Sequence, residues 1–247
     1  MFVNYRTQGF ILKKENRGEA DELLTIYTKD FGKLEILGKA IRKISSKLRS
    51  GIEIFYLSEI EFIQGKTYKT LTDALLINKF ENIRKDLKRL KIAYQIISSF
   101  NELIKGQEPD EKLWQFLLEI FEQLNNLNFS ISNFQLIYYY FLWNFFSILG
   151  YEPDLYHCSF CQKKIILEKL FFNLKGGGEE GVGGGIICQQ CQKFVKSIKE
   201  VKVETIKILR IILKKDWNLL KRLKIEKLFF QELKEISKNY LFFIQSH

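Results

Sequence analysis

The chain has 247 residues, 46% of them hydrophobic, with 22 Phe and 11 Tyr. That is ample apolar material for buried cores, which excludes disorder over most of the length, and the length itself points to more than one domain. A formal charge of +10 makes polyanions the natural partners, unless the Lys-rich composition is incidental, and it leaves the fold open.

Met1 to Gln8 lacks a basic region followed by an uninterrupted apolar stretch, so no secretory leader is expected and the protein is read as cytoplasmic. From Gly9 to about Ile77 the pattern is of short alternating segments broken by glycine. Five strands are expected, at Gly9–Lys13, Glu22–Thr28, Gly32–Gly38, Glu53–Ile63 and Thr67–Asp73. In the fourth, Ile60 and Phe62 face a core while Glu59 and Glu61 face water, as a sheet with one wet side requires. Five short strands in this length fit a small barrel of the oligonucleotide-binding (OB) type.

After Phe80 the period changes to that of a helix, with Ile83, Leu87, Leu90, Tyr94, Ile97 and Ile104 on one stripe. Pro109-Asp110 opens a second helix bearing Leu113, Leu117, Ile120 and Leu124, and Ser132-Asn133-Phe134-Gln135 has capping-box spacing for a third. That third segment, ending at Gly150, is apolar nearly all round. It falls short of the roughly 20 residues a bilayer needs and carries Gln135, Asn144 and Ser147, so it is a core helix and no membrane is a partner. Residues 176–185 are a glycine-rich run expected to form a loop, and beyond Cys191 the chain is again helical and Lys-rich. The fold class is therefore α+β and multi-domain. A five-stranded OB-like barrel, residues 1–79, precedes an all-helical domain, residues 80–247, with an embedded four-cysteine zinc knuckle in segment 156–193.

The four cysteines form two pairs of identical spacing, Cys158-Ser159-Phe160-Cys161 and Cys188-Gln189-Gln190-Cys191. A two-residue gap lets both thiolates of a knuckle reach one metal, and two knuckles complete the tetrahedron zinc prefers. Four thiolates leave no open position, so such a zinc ion would be structural. The competing reading is a thiol redox site, which needs only one reactive pair. His157 is read as a neighbour of the site and not a ligand.

Between Gly38 and Gly51 the chain carries Lys39, Arg42, Lys43, Lys47 and Arg49, interleaved with Ser45, Ser46 and Ser50 and with no acidic residue. A loop of this composition is suited to track phosphates, and its alternative is a solvated Lys-rich loop. Tyr27, Phe31, Phe55, Tyr56, Phe62 and Tyr68 lie in or beside the strands; most belong to the core, with one or two left to stack on bases. Two histidines, His157 and His247, and no Gly-Lys-Ser/Thr phosphate loop leave no constellation for catalysis, so an enzyme is not expected.

Thr7-Gln8-Gly9-Phe10-Ile11-Leu12, Gly18-Glu19-Ala20-Asp21, Phe31-Gly32-Lys33-Leu34 and Leu149-Gly150-Tyr151-Glu152-Pro153-Asp154-Leu155 followed by Cys158-Ser159-Phe160-Cys161 resemble the RecO family of bacterial recombination mediators. The match departs at Gln162, where a glycine is expected. The resemblance implies binding of single- and double-stranded DNA, annealing of complementary strands, and action with RecR to help RecA displace single-stranded-DNA-binding protein, in the cytoplasm at the nucleoid. It also implies Zn2+ on Cys158, Cys161, Cys188 and Cys191, and DNA-facing cations at Lys33, Lys39, Arg42, Lys43, Lys47 and Arg49. The alternative function is a zinc-stabilised scaffold that holds protein partners, its charge incidental.

Overall fold

A computed structural model describes residues 3–126, 134–166, 169–173 and 184–246. Ser132 and Asn133 of the expected capping box, most of the glycine run and His247 lie outside the described residues. The chain divides into two compact units, Met1–Leu127 and Asn128–His247. Among the described residues no helix is long and apolar enough to cross a membrane.

The first unit is built on a closed barrel of β1 (Asn4–Arg17), β2 (Asp21–Thr28), β3 (Gly32–Gly38), β4 (Leu57–Gln64) and β5 (Lys69–Asn78), in the order β1-β2-β3-β5-β4. Every pairing is antiparallel except the short parallel contact of Ile36 and Leu37 with Lys69 and Thr70. Alternation fills the interior with Ile11, Leu24, Ile26, Leu34, Ile36, Ile60 and Phe62. On the outer side, where the pattern expects water, Glu59 and Glu61 of β4 pair with the exposed Arg6 of β1.

Three strands differ in their bounds by several residues from the pattern's expectation, and of these β5 starts at Lys69 and runs on to Asn78 instead of ending at Asp73. Glu53–Tyr56 is a turn and not the start of β4: Tyr56 N–H donates to Glu53 O at 2.9 Å and Phe55 takes φ 73°. β1 is far longer than expected because a bulge between Ile11 and Lys13 lets the strand continue. The bulge leaves Phe10, Ile11 and Leu12 all buried in succession. Ile11 enters the barrel, and Phe10 on the outside packs on Phe80, Trp114 and Phe121, with ring centroids 5.9, 5.5 and 5.3 Å away.

Those rings seat α1 (Glu81–Lys85), α2 (Leu87–Leu103) and α3 (Glu111–Asn126) on the barrel. The single long helix expected after Phe80 is broken at Asp86, whose backbone is extended. Its carboxylate Oδ1 accepts from the N–H groups of Lys88 and Arg89 at 2.7 and 3.3 Å, an N-cap that starts a new helix. The break alters the expected stripe in part: Ile83, Ile97 and Ile104 are buried, but Leu87 is exposed and Tyr94 half-exposed, and Ile92, Ala93, Ile96 and Phe100 complete the buried face.

In the second unit α4 (Leu136–Ile148) is central, with ten of its thirteen residues buried. It ends as the sequence implied. Gly150 takes φ 86°, its N–H donates to Ser147 O at 3.1 Å, and Tyr151 N–H reaches back to Phe146 O at 2.8 Å. This is the Schellman pattern that a glycine admits without strain. Around α4 lie α5 (Val203–Leu213), α6 (Trp217–Arg222) and α7 (Lys227–Gln245). A small antiparallel sheet, which the helical pattern did not announce, joins β6 (Leu170–Asn173), β7 (Gly185–Cys188) and β8 (Ile198–Val201) in the order β7-β6-β8.

Candidate nucleic-acid interface and metal centre

The basic loop begins where β3 ends. Ile41 and Ile52 are both fully buried in the barrel core, and Leu48 packs partly against it. Gly38 has no side chain because Ile41 occupies that space. Backbone bonds fix the entry: Ala40 N–H donates to Asp21 Oδ1 at 2.7 Å and Arg42 N–H to Ala20 O at 3.0 Å. At the exit Ser58 Oγ, itself buried, donates to Gly51 O at 2.5 Å. The segment is therefore an arm pinned at both ends.

Between the pins Lys39, Arg42, Lys43, Lys47 and Arg49 are exposed. A short 3-10 helix, Lys47–Gly51, turns Leu48 inward and thereby puts Lys47 and Arg49 on the outside. Among the described residues the ion pairs of the barrel form elsewhere, between Arg6 and Glu59/Glu61, between Lys13 and Glu15, and between Lys14 and Glu22/Glu53. Ile44, which the sequence reading passed over, stands 94% exposed among these cations.

Lys33 does not join them. It sits at the start of β3, where its Nζ donates to Asn101 O at 2.8 Å and to Asn101 Oδ1 at 3.3 Å. Burial lowers its pKa below the usual lysine value, with Glu35 opposing that shift and Lys105 adding to it. Of the aromatic candidates Tyr27, Phe55 and Phe62 are buried, Phe31 and Tyr56 partly so, and Tyr68 remains exposed.

The second site lies in the other unit. Two turns bring the cysteines together: Gln162 N–H donates to Cys158 O at 2.8 Å, and Cys191 N–H to Cys188 O at 3.0 Å. The first turn is tied to β7 through Ser159 N–H, which donates to Ile186 O at 2.8 Å. All four Sγ atoms lie within 4.8 Å of one another, Cys161 and Cys188 at 3.9 Å. Metal–sulfur bonds of ~2.3 Å give a tetrahedron with edges of about 3.8 Å, whereas a disulfide needs ~2.05 Å, so this arrangement suits an ion and not a bridge.

Electrostatics point the same way. Burial pushes the Cys158 thiol up, but N–H donors from Cys161, Cys188 and Phe160 outweigh it and bring the pKa down to about 7. Cys191 is pushed up by burial and by its sulfur neighbours. Four thiolates at this separation need a cation among them, and zinc, soft enough for sulfur and content with four ligands, fits the donor set. His157 faces Asp154, Nδ1 to Oδ2 at 3.2 Å, outside the sulfur cluster. The rings of Phe160 and Phe194, one from each knuckle region, stack on each other with centroids 5.5 Å apart.

Gln162, the departure noted in the sequence, takes φ 60°, the left-handed region that favours glycine. The local pattern thus demanded a conformation that this chain meets with a side chain present.

Comparison with known proteins agrees in both halves. The family model described as Recombination protein O N terminal matches residues 1–80, and that described as Recombination protein O C terminal matches residues 84–242. A DNA repair protein RecO of Dehalococcoides mccartyi (strain ATCC BAA-2266 / KCTC 15142 / 195) is 30% identical over 230 residues, covering 93% of this chain and 86% of that protein. Another, from Caldanaerobacter subterraneus subsp. tengcongensis, is 28% identical over 96% of this chain and 91% of its own length. A third, from Moorella thermoacetica, is 29% identical over 96% of this chain.

Proposed function

This chain belongs to the recombination protein O (RecO) family of DNA repair proteins, and on that premise we propose that it is a recombination mediator without catalytic chemistry of its own. In this reading it binds single- and double-stranded DNA, anneals complementary strands, and acts with RecR to load RecA onto DNA coated by single-stranded-DNA-binding protein. The observation that carries the reading is the pinned arm, with Lys39, Arg42, Lys43, Lys47 and Arg49 exposed along one short segment.

Annealing requires two polyanions to approach each other. A cationic segment held in place lowers their mutual repulsion by displacing condensed counterions, and needs neither nucleotide nor magnesium. Rigid ends matter here. Ordering a free loop on binding costs conformational entropy that the buried Ile41 and Ile52 have already removed.

Cys158, Cys161, Cys188 and Cys191 would hold a structural zinc ion, supplying cross-links between the two knuckles and no reactive position. In this reading the barrel, residues 1–79, carries most of the DNA contacts, and residues 80–247 carry the metal and the protein partners. Binding of a single-stranded oligonucleotide measured across a salt series tests the reading. Affinity should fall steeply as salt rises, and an affinity indifferent to salt would overturn it.

A further inference from the structure

β3 has cations at both ends. Gly38 opens into the arm, and at the other end lies a pocket of about 320 Å³ walled by three separate elements. Lys33 and Glu35 come from β3; Gln64, Tyr68 and Lys69 from the β4–β5 hairpin, at the end of β4, in its connection and at the start of β5; and Lys105 from the α2–α3 loop. The wall at Lys33 is fixed: Gly32, at φ 62°, lies so close to the α2–α3 loop that an added Cβ would stand 2.5 Å from Glu108 O.

We propose that this pocket is a nucleotide subsite that takes one unstacked base of a single strand on the Tyr68 ring and its phosphate beside Lys69 and Lys105. The inference rests on the reading of the arm as a DNA-binding element and adds discrimination between single and double strands. Tyr68 is the barrel aromatic that is neither in the core nor covered, 38% exposed at the pocket wall. Three ammonium groups against one carboxylate give the pocket a positive balance. A phosphate there would offset the repulsion that Lys105 exerts on Lys33. Glu35 and Gln64 offer an acceptor and an amide to the polar edge of a base, groups that a site for bare phosphate has no use for.

A paired base reaches such a pocket only by leaving the duplex stack, whereas a single strand gives it up at little cost. From Lys33 along β3 to Lys39, the residue after its end, the chain spans about 20 Å at ~3.3 Å per residue. A nucleic-acid strand at ~3.4 Å per nucleotide covers that with about six nucleotides, so one short oligonucleotide reaches both the pocket and the arm.

The test compares wild type, Tyr68→Ala and Tyr68→Phe for binding to a single-stranded 20-mer, the same strand made abasic, and the corresponding duplex. Tyr68→Ala should weaken binding to the base-bearing strand by about tenfold and leave the abasic strand and duplex unchanged, with Tyr68→Phe near wild type. Equal losses on all three substrates, or no loss on any, would overturn the subsite while leaving the arm standing. Failure of the wild type to bind any DNA would overturn both readings. Calorimetry with dAMP covers the remaining source of the same chemistry: heat abolished by Tyr68→Ala, with strand binding unaffected, would make the pocket a site for free nucleotides and sink the proposal.

Discussion

A methyl group added at Gly38 would overlap the Cδ1 atom of Ile41, the buried residue that anchors the start of the basic arm. The two positions are thus one device: the missing side chain of the first is the seat of the second. Ile41→Ala should empty the seat at a cost of about 2–5 kcal/mol of stability, whereas Gly38→Ala, whose methyl meets the end of the Ile41 side chain, should force that chain to shift at a cost of about 1–3 kcal/mol. Urea denaturation checks the loss. Binding by the protein that remains folded should also weaken, because the arm then has to be ordered by the DNA.

The charge of the arm predicts a specific salt behaviour. Replacing Arg42, Lys43 and Lys47 together with Ala should reduce the slope of log affinity against log salt by about 2, at ~0.7 per phosphate contact on single strands. Thermal stability should stay near wild type, since all three side chains are exposed. Fluorescence anisotropy over a salt series gives the slope, and an unchanged slope would place the DNA contact elsewhere.

Gln162 holds a left-handed conformation that costs a side-chain-bearing residue roughly 1–2 kcal/mol. Gln162→Gly should recover much of that and tighten the first knuckle, against the small loss of the bond from Gln162 Nε2 to Ser159 O. A raised melting temperature and slower zinc release to a chelator are the expected readings.

Removing the metal should loosen the knuckles and β7, since a structural zinc site contributes on the order of 10 kcal/mol in small domains. Metal-free protein should then show a particular pH dependence. Cys158 has a folded pKa of about 7 below its ordinary 9.0, so its contribution is present in full above 9 and is lost as pH falls toward 7. Cys191 is shifted the other way, so its contribution is complete below 9 and declines as pH rises beyond it. Stability of the metal-free form should therefore be greatest near pH 9, as measured by denaturation at a series of pH values.

Inside the second unit the indole N–H of Trp143 donates to Ser237 Oγ at 2.8 Å, and both residues are buried. Ser237→Ala leaves that donor without its acceptor and should cost about 1–3 kcal/mol. Trp143→Phe opens a cavity in either background but should cost less in the Ser237→Ala protein than in wild type, and that difference in a double-mutant cycle measures the coupling.

Much of this protein was legible in the residues alone, and the legible part is local. Paired cysteines two residues apart announce a metal site because the turn that aims two sulfurs at one point is made within a few residues. Period two marked the barrel strands, and Gly150 marked the end of α4, since both are set by backbone geometry near the residue concerned.

Other features depended on contacts distant in sequence. Lys33 and Lys39 are the same residue type at the two ends of one strand, the first inside β3 and the second just past it, yet the first is held by Asn101 of α2 and the second is exposed. Nothing in residues 33–39 encodes that difference; it arises because α2 and the loop after it close over one end of the barrel. Likewise Ile41 and Ile44 are indistinguishable by composition, and only the cavity behind Gly38 decides that one is core and the other faces solvent. Spacing along the chain determined which atoms this protein could offer to a metal or a phosphate, and burial in three dimensions decided which of them are free to be offered.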